Sequence, residues 1–168
     1  MKKVIIGLLF FGLTIQLYAQ DPAPTMLDEV VLVNTNYKYI SSTEGRDLAV
    51  PVEQLELKVA NFDVKTLDFY TDEYEFYDVY FFIPEGKILA TYDGKGTILR
   101  TAEKYKGIDL PKAVVHAVSK RFPEWEITKD LYLVNYFESG NSTKRYKLTL
   151  TNGDKRIKVK LDDAGNFL

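Results

Sequence analysis

Few side chains in this 168-residue chain are equipped for covalent or metal chemistry. There is no cysteine and a single histidine, His116, so thiol catalysis and His-rich metal sites are excluded. His116 lies beside the apolar stripe Val114, Val115, Val118 and Phe122, where a histidine on a helix flank reads as structural. No G-x-S-x-G, Walker A or dinucleotide fingerprint occurs. Asp68, Asp72, Glu73, Glu75 and Asp78 offer the hard oxygen ligands that calcium takes, but their spacing does not match an EF-hand loop. Asp162-Asp163-Ala164-Gly165-Asn166 reads as a tight turn, for which Asp and Gly are suited. The expectation is a non-enzyme without cofactor or metal. The alternative is a hydrolase or transferase with a site assembled from scattered Tyr, Asp and Glu. Two carboxyl groups with shifted pKa values in a deep pocket would mark it.

Binding chemistry is better represented. Arg145 and Lys147 alternate with Tyr146, Leu148 and Leu150, and Arg156, Lys158 and Lys160 alternate with Ile157, Val159 and Leu161. In strands this period of two sends the apolar set to a core and the cations to the opposite face. Asn152-Gly153 between the two runs has the chemistry of a type I′ hairpin turn, so the cations gather into one basic stripe. Tyr74, Tyr77, Tyr80 and Tyr92 are offered for a comparable exposed part earlier in the chain, with Tyr77 and Tyr80 counted among the binding residues, although alternation does not decide which of the four point outward. Tyr and Arg anchor interfaces because they present large areas on few rotors or a rigid fork. The stripe reads either as a solubilising sheet face or as a docking surface for an acidic protein, peptide or glycan, and a protein or peptide is the partner expected.

These residues must be positioned by two similar stretches. Pro51 opens a helix with Val52, Leu55, Val59 and Phe62 on one side, and Pro111 opens another that ends at Phe122-Pro123. Strands are predicted over 64–70, 75–83, 86–92 and 96–101, then over 127–137, 144–151 and 155–162. A helical turn is predicted over 101–106, and a further strand from Leu27 through Tyr39. Pro51 matches Pro111 and Phe62 matches Phe122 at an offset of 60, while Asp93, Gly96 and Leu99 match Asp162, Gly165 and Leu168 at 69. The pattern predicts an α+β protein of two helix-plus-antiparallel-sheet repeats, the helices packed on one sheet face and the other face open. Val114, Val118, Phe122, Leu148, Leu150, Ile157, Val159 and Leu161 are its expected core.

Lys2 and Lys3, the apolar run Val4–Leu13 and the small residue Ala19 predict a signal peptide over 1–19, cleaved before Gln20. The expected mature protein is periplasmic or secreted, with no stable membrane anchor and no lipid-bearing cysteine. From 20 to 99 there are 6 Lys and Arg against 15 Asp and Glu, and from 100 to 168 there are 14 against 9. Export and a sequence pI near 5.5 argue against nucleic acid as the partner of the basic half.

Leu110-Pro111, Phe122-Pro123, Tyr146, Asn152-Gly153 and Asp162-x-x-Gly165 resemble the PepSY-like, or β-lactamase-inhibitor-like, domain. The resemblance is best over Ile108–Leu168. It implies 20–47 as leader and N-terminal strand, 48–107 as a divergent first repeat and 108–168 as a second. What it further implies is a small exported module, non-catalytic and inhibitor-like, that engages a protein or peptide through its open sheet face.

Overall fold

Apolar and polar residues alternating with a period of two build most of this chain, and they build one sheet rather than two. The computed structural model describes residues 36–168 apart from 46 and 141, all within one compact unit. The signal segment expected over 1–19, and the Leu27–Val33 part of the first expected strand, lie outside the described residues. Strands β1 (Phe76–Ile83), β2 (Gly86–Asp93), β3 (Ile98–Tyr105), β4 (Glu126–Lys129), β5 (Tyr132–Phe137), β6 (Ser142–Asn152) and β7 (Lys155–Leu161) form the sheet. Helices α1 (Tyr37–Thr43), α2 (Val50–Ala60) and α3 (Lys112–Arg121) accompany it. Every strand pairing is antiparallel. β4 and β5 run end to end along β6, and Leu131 and Lys147 exchange both backbone hydrogen bonds across the break, at 3.0 and 2.8 Å.

The expected pair of helix-plus-sheet repeats is overturned. β3 pairs with β5 from Arg100↔Phe137 to Tyr105↔Tyr132, so strands from the two halves share one ladder. Tyr105, Tyr132 and Tyr146 stack across β3, β5 and β6 with ring centroids 6.0 and 4.4 Å apart, leaving no seam between halves. Three helices serve a single seven-stranded sheet, and the overall class is α+β. The matched turns are nonetheless real. Asp93 Oδ1 accepts from Thr97 N and Asp162 Oδ1 from Asn166 N, both at 2.8 Å.

Three local readings also change. Tyr37 and Tyr39 lie in α1, not in a strand, because Tyr39 and Thr43, four apart, bury one helix face. Asn36 fixes the start of that helix: its Oδ1 accepts from Ile98 N at 2.8 Å and its Nδ2 donates to Ala60 O at 2.9 Å. Residues 64–70 hold a 3₁₀ turn, Val64–Thr66, whose entry is capped where Asp63 accepts from Lys65 N at 2.9 Å. Residues 101–105 continue β3, since Thr101, Glu103 and Tyr105 are buried at alternate positions and cannot share one side of a helix.

The predicted helices hold. Pro51 stands in the first turn of α2, whose Val52, Leu55 and Val59 are buried, and Pro111 precedes α3, whose Val114 and Val118 are buried. Leu148, Leu150 and Leu161 are in the core, whereas Phe122, Ile157 and Val159 are half-buried at its margin. The last hairpin turns one residue later than predicted. Asn152 pairs with Lys155, so Gly153 and Asp154 form the loop. Gly153 at φ 55, followed by a residue without positive φ, is the type II′ arrangement, not type I′. No helix among the described residues is long and apolar enough to cross a membrane.

Candidate functional site

Strand alternation sorts the sheet's side chains into two faces. One carries the buried set and receives the helices: Tyr92 OH donates to Val59 O of α2 at 2.7 Å, and Tyr39 OH of α1 donates to Glu103 of β3 at 2.9 Å. The other face carries the exposed set. Arg145, Lys147, Arg156, Lys158 and Lys160 all stand on it, as the sequence predicted, and all are exposed. Tyr80 stands there too, 55% exposed and stacked on Phe82 with centroids 5.9 Å apart. Tyr77 does not. It is 2% exposed, stacks on Tyr70 and donates to Thr71 O, so it belongs to the buried side.

The register adds cations that sequence reasoning passed over: Lys87 on β2, Arg100 and Lys104 on β3, and Lys129 on β4. Against these, the strands place three carboxylates on the same face, Asp78, Asp93 and Glu126. Arg100 is occupied with the first, donating to Thr91 Oγ1 at 3.0 Å while Thr91 donates to Asp78. Two lysine pairs stand directly opposite each other across neighbouring strands, Lys147↔Lys160 and Lys87↔Lys104. Like charges so placed repel and weaken a sheet. Lys129, Lys147, Lys158 and Lys160, with the one carboxylate Asp130 among them, line a depression of about 330 Å³. Tyr80, Lys87, Leu89, Lys104, Leu133 and Asn135 line another of about 360 Å³. Such a face can take a chain of carboxylates in its lysine-lined depressions and an apolar or aromatic group beside Tyr80 and Phe82.

A second constellation lies on the helix side, and the sequence reading missed it. Glu103 is buried, and three hydroxyl groups converge on it. Tyr39 OH and Thr101 Oγ1 donate to Oε1 at 2.9 and 2.7 Å, and Tyr105 OH donates to Oε2 at 3.0 Å. Glu56 of α2 is buried on the same side. Burial, then the charge of Glu103, pushes its carboxyl up to about 9. Burial raises Glu103 as well, opposed by its hydroxyl donors. The three hydroxyl donors favour the charged form of Glu103, whereas burial and the charge of Glu103 favour the protonated form of Glu56. A signal was present: Val52, Leu55, Glu56 and Val59 follow the i, i+3, i+4, i+7 pattern of a buried face. Glu103 likewise occupies an apolar-face position between Thr101 and Tyr105.

His116 is exposed on α3. Asp68, Asp72, Glu73, Glu75 and Asp78 are exposed too, and among the described residues no three His, Cys, Asp or Glu are gathered closely enough to hold a metal ion. No protein-family model matches the chain, and no curated protein does. The chain is similar to a DUF2874 family protein from Bacteroides uniformis ATCC 8492, whose crystal structure was solved at 1.70 Å resolution. The two are 12% identical over 62% of this chain and 78% of that one, with a TM-score of 0.36. A likeness this weak says nothing of function.

Proposed function

We propose that this chain is a non-catalytic, exported binding module that takes an acidic, extended protein or peptide segment across the uncovered face of its sheet. One observation carries the reading: the directly opposed pairs Lys147↔Lys160 and Lys87↔Lys104. Repulsion between them weakens the fold, and among the described residues the one ion pair within 4 Å, Lys144–Asp163, lies elsewhere. A partner's carboxylates would relieve that repulsion. The exposed Tyr80–Phe82 stack supplies an anchor beside the charges. The resemblance of Ile108–Leu168 to exported PepSY-like modules supports the same reading.

The hydrolase or transferase alternative draws on Glu56 and Glu103. Glu103 is sealed beneath three hydroxyl donors, so the pair offers substrate one protonated carboxyl rather than an acid and a base. The binding reading is therefore preferred.

An oligoglutamate peptide is the probe. Its association should be fast at low salt and fall steeply as salt rises. Lys158→Glu with Lys160→Glu should slow association by about tenfold at low salt, and Tyr80→Ala should speed dissociation. If the peptide binds equally well to the charge-reversed protein, or not at all at low salt, the face is only a solubilising surface. Export is checked by the N-terminus of the native protein, which should begin at Gln20. Material still starting at Met1 would contradict it.

A further inference from the structure

A cavity of about 300 Å³ opens between α2 and the connection from α1, on the helix side of the fold and apart from the basic face. Ile40, Leu48 and Leu57 give it apolar walls. Glu44, Asp47, Glu53 and Glu56 line it as well. The first three are exposed and alone would be an ordinary solvated acidic cluster. Glu56 is different. It is 3% exposed, and its Oε1 has no hydrogen-bond partner among the described residues. A buried carboxyl oxygen without a donor is an unmet demand.

Lys144, whose charge acts on Glu56, does not meet that demand. Lys144 Nζ donates to Glu44 O at 2.7 Å and stands 3.8 Å from Asp163. The other groups acting on Glu56 are Glu103 and Thr43, and the hydroxyls of Tyr39, Tyr105, Tyr132 and Tyr146 surround the pair. The carboxyl groups are spread around the cavity rather than gathered as metal ligands would be. That arrangement suits a cation with length. It must donate N–H to a buried oxygen at one end and place methylene groups against aliphatic walls.

We propose that this cavity binds a primary alkylammonium ion. Its N–H groups donate to Glu56 Oε1 and its methylene chain lies along Ile40, Leu48 and Leu57. The arriving charge ionises a carboxyl that its surroundings keep protonated, so binding releases a proton to the solvent. The same chemistry belongs to a free aliphatic amine and to a lysine side chain.

The test is calorimetric titration of the full chain with cadaverine, in two buffers of different ionisation enthalpy near neutral pH. Pentanol serves as the uncharged control, and N-acetyl-lysine amide represents a lysine side chain. Saturable cadaverine binding with release of about one proton is expected, and pentanol should bind much more weakly. Glu56→Gln should weaken cadaverine by about tenfold or more and abolish proton release. Its circular dichroism and thermal melt should show a folded protein. Affinity for the lysine amide equal to that for cadaverine assigns the site to lysine side chains, and preference for cadaverine assigns it to free amines. Failure of cadaverine to bind overturns the proposal, as does equal affinity for pentanol or an unchanged Glu56→Gln.

Discussion

Replacing Glu56 by glutamine keeps the side chain's shape but removes its proton equilibrium, and stability against pH should report the difference. The ordinary value of this carboxyl is 4.5, and in the folded chain it is pushed up to about 9, by burial first and by the charge of Glu103 second. A carboxyl raised on folding holds a proton in the native state that the unfolded chain has already lost. Its contribution is therefore fully present below 4.5 and is lost progressively as the pH rises towards about 9. The slope is about 1.4 kcal/mol per pH unit, so going from about pH 5 to about pH 8 should remove about 4 kcal/mol. That is a large part of the roughly 5–15 kcal/mol by which a domain is stable. Urea denaturation followed through the fluorescence of Trp125, repeated across this pH range, measures it. Wild type should lose stability steadily, while Glu56→Gln should lose clearly less and be the more stable protein at the alkaline end. Parallel profiles for the two proteins, or a flat wild-type profile, would refute the assignment of the proton to Glu56.

Two further substitutions probe the packing. Leu148 is 1% exposed and stands opposite half-buried Val159, so Leu148→Ala should cost about 2–5 kcal/mol and Val159→Ala clearly less. Equal losses in chemical denaturation would contradict the placement of the core. A Cβ at Gly86 would lie 2.5 Å from both Lys104 O and Tyr105 Cδ1, although the backbone there is not left-handed. Gly86→Ala should therefore push β2 from β3, cost about 1–3 kcal/mol, and speed amide exchange along that ladder. Gly153→Ala meets nothing within 4 Å and should leave that exchange unchanged, its cost coming from φ alone.

Legibility in the sequence followed periodicity. The strands of β6 and β7 and the helices headed by Pro51 and Pro111 were readable because one repeat period persisted over their whole length. The basic stripe followed from the same alternation, which is why Arg145 through Lys160 fell where expected. What failed depends on distant partners. Tyr39 belongs to a helix because Glu103, 64 residues away, accepts its hydroxyl. Tyr77 could not be oriented, since every residue from Phe76 to Ile83 except Asp78 is apolar or aromatic and alternation is lost. The repeat was read from turns that do recur. Turns specify how a chain reverses and not which strands become neighbours, so the β3–β5 ladder that makes one sheet stayed hidden. Glu56 and Glu103 were missed because acidic residues were sought in clusters, not at positions where the pattern called for an apolar side chain.

The sheet's order has a consequence for how the chain assembles. β1 with β2, β2 with β3, β5 with β6 and β6 with β7 are neighbours in sequence as well as in space, so short loops bring them together. β3 with β5 requires only the excursion through α3. The first helix is fastened differently. Asn36 meets Ile98 across 62 residues, and Ser142 and Lys144 reach Ser42 and Glu44 across 100. Closing a loop costs more entropy as it lengthens, and those contacts return little until the sheet exists to receive them. The strands thus zip locally, and α1 is tied down last, so amide exchange in α1 should outrun that in β6. Tyr39 arrives with that helix, so the third hydroxyl donor of Glu103 is supplied only when the sheet is already built.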